Sequence, residues 1–190
     1  MIHPHTALRF VHSAVGMGVV ATEPIPCGTI MWVADALDQV LTPERVASLP
    51  SACTANLERY TWQDAAGNLI LVWDLARFVN HSCDPNCLTT PGGFEIAVRD
   101  IGRHEEITND YADLGLQPSE HLRCHCESPR CRGTISRADA EALRAYWNEK
   151  VAWALERVSS VVQPLQDLLE GAHRLHPAVD GNPRSIFHSA

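Results

Sequence analysis

The 190-residue sequence predicts an α+β chain, mainly β, with its helices gathered toward the C-terminus. Two observations carry that prediction. Over the first two thirds, short apolar runs alternate with Gly, Pro, Asn and Asp, as short strands and tight turns do. From Ser136 onward apolar residues recur at helical spacing instead: Leu143, Tyr146, Trp147, Val151, Ala154, Leu155, Val158 and Val161. A chain of this length can bury a large core without disulfides.

The elements come in order along the chain. Leu8 to His12 reads as a strand, Ser13 to Gly18 as a turn and Val19 to Thr22 as a second strand. Pro24, Pro26 and Gly28 punctuate the next turn, and Ile30 to Val33 resumes a strand. Thr42 caps a short helix with Pro43 in its first position, reaching Ser48. Ser51 caps another, reaching Arg59. Leu69 to Trp73 is an apolar strand. Phe94 to Val98 alternates as a half-buried strand does, and Pro91-Gly92-Gly93 turns it back onto Cys87-Leu88-Thr89. Ser136 caps the long helix, Pro164 breaks it and Gly171 ends the helical segment beyond that break. The expected organisation is a main domain over 7–120, a cysteine segment over 121–136, a helical extension over 137–172 and a loose tail over 173–190. The extension is expected to pack on the main domain, with Trp147 and Trp153 in a core or at a contact between two copies of the chain.

Composition narrows the function. The net charge of -8 serves solubility and could steer a basic partner, but it disfavours direct nucleic-acid binding, which needs a basic face. Only Lys150 among the fifteen basic residues is a lysine. No apolar run is long enough to cross a membrane. Met1 to His5 lacks a basic segment followed by an apolar one, so no secretory signal is expected and an intracellular location, cytoplasmic or nuclear, is. Seven cysteines cannot all pair with one another, which favours thiols and metal ligation over disulfides.

The chemistry concentrates between Arg77 and Gly133. Cys124, Cys126 and Cys131 lie close enough in sequence to fold three thiolates around one ion, and structural zinc wants a fourth. Cys83, Cys87, Cys27, Cys53 and His125 are the candidates, and spacing does not choose among them.

Three ordered motifs then resemble the SET-domain protein lysine methyltransferases: Gly16-Met17-Gly18, Arg77-Phe78-Val79-Asn80-His81-Ser82-Cys83, and Glu105-Glu106-Ile107-Thr108-Asn109-Asp110-Tyr111. Cys124-His125-Cys126 to Cys131-Arg132-Gly133 is similar to that family's post-SET zinc motif. The resemblance implies small curved sheets threaded in a knot-like way. It implies one structural zinc on Cys83, Cys124, Cys126 and Cys131. It implies S-adenosylmethionine bound by Gly16, Met17, Gly18, Arg77, Phe78, Asn80, His81 and Tyr111, with Tyr111 also catalytic. Methyl groups would pass to the lysine amine of a basic protein substrate, such as a histone. Two residues before Tyr111, where the family carries Phe or Tyr, stands Asn109. The rival readings are a non-catalytic zinc-stabilised interaction module on the same fold and a metal hydrolase.

Overall fold

Turn residues cut every apolar run short, and the strands that remain pair into small separate sheets. In a computed structural model, residues 1–55, 57–64, 66–114, 116 and 121–169 are described. The strands are β1 (Thr6–His12), β2 (Gly16–Ala21), β3 (Ile30–Trp32), β4 (Gln39–Leu41), β5 (Thr61–Gln63), β6 (Leu69–Leu71), β7 (Asn80–His81), β8 (Cys87–Thr89), β9 (Glu95–Ala97), β10 (Thr108–Asn109), β11 (His121–Arg123) and β12 (Thr134–Ser136). The helices are α1 (Pro43–Ala47), α2 (Ser51–Thr54), α3 (Leu57–Tyr60) and α4 (Arg137–Leu155), with 3₁₀ turns at Leu75–Phe78 and Val158–Ser160. Among the described residues they form five sheets: β1-β2, β3-β9-β8, β4-β6-β5, β11-β12 and the parallel pair β7-β10.

Local chemistry explains most boundaries. Thr42 accepts a hydrogen bond from the Arg45 N–H, and Pro43 opens α1 as expected. Ser136 and Asp139 make a reciprocal capping box at the start of α4. The hairpin β8-β9 closes through Thr90, whose N–H and hydroxyl both donate to the Phe94 carbonyl.

Three expectations need correction. Gly16-Met17-Gly18 is strand, not turn: the β1-β2 ladder extends to His12 and Gly16, so only Ser13, Ala14 and Val15 are left to turn. The helix expected from Ser51 to Arg59 is two short pieces, and Pro50, not Ser51, stands at the cap. The long helix ends at Leu155, well before Pro164. Its end is set by tertiary contact. The last turn abuts Gly28, and the Gln163 side chain then bonds the Ile30 N–H at 2.9 Å and the Gly28 carbonyl at 2.7 Å. The Gly171 stop and the loose tail lie outside the described residues.

The period-2 alternation of β3-β9-β8 separates two cores. Ile30, Ile96 and Leu88 form one row, which packs with Phe94 against Trp147, Val151, Ala154 and Val158 of the helical extension. Each such side chain contributes roughly 1.5–3 kcal/mol by leaving water. Met31, Cys87 and Ala97 face the other way, toward Val19, Ala21, Ile101 and Ile107. Trp147 is therefore a core residue, whereas Trp153 is exposed and stacks under the Arg157 guanidinium. Among the described residues no helix is long and apolar enough to cross a membrane.

Gly28 has a φ of +90°, and a Cβ there would lie 2.7 Å from Arg157 Cβ and 3.0 Å from the Ala154 carbonyl oxygen. Gly28→Ala should therefore destabilise the fold by about 2 kcal/mol, through backbone strain and collision with the end of α4. Urea unfolding measures the loss. An unchanged midpoint would mean that the helical extension is not docked at this turn.

Candidate active site and metal centre

The parallel pairing of β7 with β10 brings the second and third motifs side by side, Asn80 opposite Thr108 and His81 opposite Asn109. Two strands of two residues each make few bonds, so side chains complete the join. Asn86, fully buried, donates to the Glu106 carbonyl at 2.8 Å and accepts from the Thr108 N–H at 2.8 Å. Asn80 donates through Nδ2 to the Met17 carbonyl at 3.0 Å and to Glu106 Oε1 at 2.8 Å. Gly18 is pressed into this crossing. A Cβ on it would lie 2.8 Å from Asn80 Nδ2 and collide with Glu106. That close approach is why the position carries no side chain.

A cavity of about 360 Å³ opens beside the crossing. Asn80, His81, Glu106, Tyr111, Leu122 and Ile135 are among its lining residues. Its size and its mix of apolar walls with a few polar groups suit a small-molecule ligand. The glycine segment of β2 reaches the crossing through the Met17 carbonyl, which accepts from Asn80 Nδ2, and none of Gly16, Met17 and Gly18 lines the cavity. Arg77 and Phe78 sit elsewhere, in the 3₁₀ turn. Arg77 donates to the carbonyls of Trp73 and Asp74, and Phe78 packs edge-on to Tyr60 at 5.8 Å.

Tyr111 donates its hydroxyl hydrogen to the Val79 carbonyl at 2.9 Å. Burial, with Glu106 and Glu95 nearby, pushes its pKa up to about 12, so the phenol stays protonated at any working pH. The Tyr111 N–H donates to His81 Nδ1 at 3.2 Å, while His81 Nε2 lies 3.3 Å from Cys83 Sγ. Burial holds His81 down to about 4, so the ring is neutral. A neutral ring that accepts at Nδ1 carries its proton on Nε2, which points that proton at the sulfur.

The sulfurs gather next to this ring. Cys83, Cys124, Cys126 and His81 form a possible metal-binding group whose ligand atoms lie within 4.8 Å of one another. Cys83 and Cys124 sulfurs are 3.7 Å apart. Tetrahedral zinc with bonds of about 2.3 Å spaces its sulfurs about 3.8 Å apart, so the pair already has a metal-site separation. Main-chain N–H groups converge on the same sulfurs, from Cys83 and Arg132 as well as from Cys126. Although burial opposes it, the N–H groups of Cys83 and Ser128 bring the Cys126 thiol down to about 7. Burial pushes the Cys124 thiol up, with Cys126, Cys131 and Cys83 all beside it. Cys131 is thus next to Cys124 but outside the tightest group of four. His81 completes that group geometrically, yet an Nε2 that carries a proton has no lone pair for a metal. Of the other candidates for a fourth ligand, Cys87 is fully buried against Asn86, Cys27 lies in the core near the end of α4, and Cys53 is exposed on α2. His125 stacks on His12 instead.

Arg132, between two motif residues, was not singled out by the sequence. It makes a two-pronged pair with the fully buried Asp110, Nη1 to Oδ2 at 2.8 Å and Nη2 to Oδ1 at 2.7 Å. This pair fastens the cysteine loop to the segment that carries Tyr111. Glu106 is a second such residue, serving both the crossing and the cavity wall. Each depends on a partner distant in sequence, so spacing carried no signal for either.

A family model described as SET domain matches residues 16–112. The chain belongs to the SET-domain family. Its α+β fold of small sheets with a few helices is the SET fold. Similar curated proteins include the histone-lysine N-methyltransferase ash1 of Drosophila melanogaster, 30% identical over 138 residues, which span 67% of this chain and 6% of that protein. Another is the histone-lysine N-methyltransferase, H3 lysine-4 specific, of Eremothecium gossypii, 39% identical over 145 residues, 68% of this chain and 14% of that protein. Among solved structures, the methyltransferase domain of human histone-lysine N-methyltransferase SETMAR matches 70% of this chain and 57% of its own, with 21% identity and a TM-score of 0.48. The matched regions thus span only a small part of these curated relatives' length.

The Arg132–Asp110 pair gives a direct test of the SET site's architecture. Arg132→Met removes the cationic partner of a buried carboxylate and should cost about 3–5 kcal/mol in urea unfolding. The double variant with Asp110→Asn should lose less, because no charge is stranded. Equal losses in the two would show that the pair does not hold the loop.

Proposed function

We propose that this SET domain transfers methyl groups from S-adenosylmethionine to a lysine side-chain amine of a protein substrate, the basic tail of a histone being one example. The observation that carries the reading is Tyr111. Its hydroxyl is fixed on the Val79 carbonyl at the wall of a cavity that Asn80 and Glu106 also line. The bound donor supplies a methyl group already activated by a positively charged sulfur. The residues present fit such a ligand. Asn80 Nδ2 is engaged by Met17 and Glu106, which leaves its amide oxygen to accept from a ligand's ammonium. Glu106 places negative charge near a cationic ligand. Gly18 lets Asn80 and Glu106 pack against the β2 backbone in these positions.

Tyr111 acts in this reading as a fixed dipole. Its hydroxyl hydrogen is engaged by the Val79 carbonyl, so its oxygen keeps lone-pair density free to favour positive charge nearby. Positioning of an amine in line with the reacting bond supplies much of the remaining acceleration. His81 works through others: it pins the Tyr111 backbone on one side and faces the sulfur cluster on the other.

The metal in this reading is one structural zinc on Cys83, Cys124, Cys126 and Cys131. The sulfur spacing, the N–H groups aimed at the thiols and the protonated Nε2 of His81 support four thiolates over a mixed set. A closed site of this kind has no open position for water, which speaks against a metal hydrolase. The helical extension after Ser136 and the segment 121–136 would then act as covers for the domain, not as separate folding units. The tyrosine and its cavity, both in place, support transfer over the non-catalytic alternative.

Tyr111→Phe should lower methyl transfer to basic peptides by about 10²–10³-fold, while calorimetry still records S-adenosylmethionine binding. Equal rates for the variant and the wild-type chain, or no donor binding by the zinc-loaded wild type, would contradict the proposal.

A further inference from the structure

Methyl acceptance by an amine requires a free lone pair, yet a lysine side chain arrives in water as an ammonium. Tyr111 is not the group that takes the proton: its phenol is un-ionised and its hydrogen is held on Val79. A second acceptor close to it would serve that step.

The sheet β3-β9-β8 supplies one. Glu95 stands opposite Trp32 on one side and Thr89 on the other, so the three side chains share a row on one face. Glu95 keeps some solvent-accessible surface although protein rings it. Trp32 Nε1, Thr89 Oγ1 and Asn109 Nδ2 are buried and make no hydrogen bond of standard geometry within the protein. Asn109 lies beside Glu95 and offsets part of the cost of its charge. Glu95 in turn is felt by the Tyr111 hydroxyl. Trp62, Leu75, Phe78 and Val79 are partly buried apolar residues packed on the hydrophobic cluster to which Trp32 belongs. The carboxylate is complementary to a primary ammonium, which only donates, while the unused N–H groups of Trp32 and Asn109 suit the carboxylate.

We propose that Glu95, beside Asn109, binds the substrate's primary ammonium and takes its proton. The inference rests on the methyl-transfer reading above. The step is a proton transfer. One ammonium N–H bond breaks, its electron pair stays on nitrogen as the lone pair, and the proton forms an O–H bond with Glu95. The proton leaves to solvent when product departs. Trp32 and Asn109 stabilise the ionised carboxylate by donating to it once the cation draws it into line. Burial raises Glu95 to about 7, within reach of a neutral working pH for a proton acceptor. The titratable groups that face it are Asp113, Tyr111, the Cys87 thiol and the amino group of Met1.

The test uses the zinc-loaded chain, its Glu95→Gln and Glu95→Asp variants, and a pooled set of synthetic basic peptides with one lysine each. The same peptides with norleucine in place of lysine serve as controls. Without donor, the wild-type chain should bind lysine peptides about tenfold more tightly than norleucine peptides, and Glu95→Gln should lose that preference. With donor, Glu95→Gln should transfer about 10²-fold more slowly near pH 7 and recover as pH rises toward 10, where the amine arrives neutral. Glu95→Asp should keep part of the neutral-pH rate. Thermal melting controls for folding, with a signed expectation of its own. A carboxyl whose folded pKa is raised loses stability as pH climbs from its unfolded value through about 7, and Glu95→Gln should remove that share of the slope and leave the share of Asp113, which burial raises to about 6. A variant with wild-type lysine preference and pH profile overturns the proposal and leaves methyl transfer standing. Failure of the wild-type chain to methylate any peptide overturns both.

Discussion

The site depends on one short crossing, the parallel pairing of β7 with β10. Four residues cannot hold two chain segments together by backbone bonds alone. Asn86 supplies the missing bonds by spanning Glu106 and Thr108 with its amide. The fold tolerates no side chain at Gly18, because Asn80 and Glu106 already occupy that space. This crossing sets the position of Tyr111, the wall of the cavity and the place where the cysteine loop can land.

The loop lands by two independent contacts. Its sulfurs meet Cys83, which leaves β7 two residues after His81, and Arg132 pairs with Asp110, which leaves β10 one residue after Asn109. The metal loop is therefore fastened to both members of the same strand pair. His81 joins them a third time, with Tyr111 on one ring nitrogen and Cys83 on the other. Stability and function share these atoms. A buried ion pair contributes little net stability but is costly to break, which makes Asp110–Arg132 a device for geometry.

Much of this was legible in the sequence wherever the signal is local. The Thr42-Pro43 start, the Ser136 cap and the β8-β9 hairpin all arise from residues within a few positions of one another. The order of the three motifs pointed to the SET fold, and Cys83 was among the foreseen partners of the later cysteines. What sequence could not supply was long-range. The glycines of β2 read as a turn because their partner strand was not in view. The end of α4 is set by Gly28 and Gln163, not by Pro164. Arg132, Glu106 and Glu95 look like ordinary charged residues until the fold buries them beside Asp110, Asn80 and Asn109.

The central claim is that the metal loop, docked on the strand crossing, completes the cavity that holds the methyl donor. Calorimetric titration of S-adenosylmethionine into the chain before and after zinc removal by a chelator tests it most directly. The account predicts clear binding to the zinc-loaded chain and its loss on zinc removal, with recovery when zinc is restored. Equal affinity in both states would contradict it.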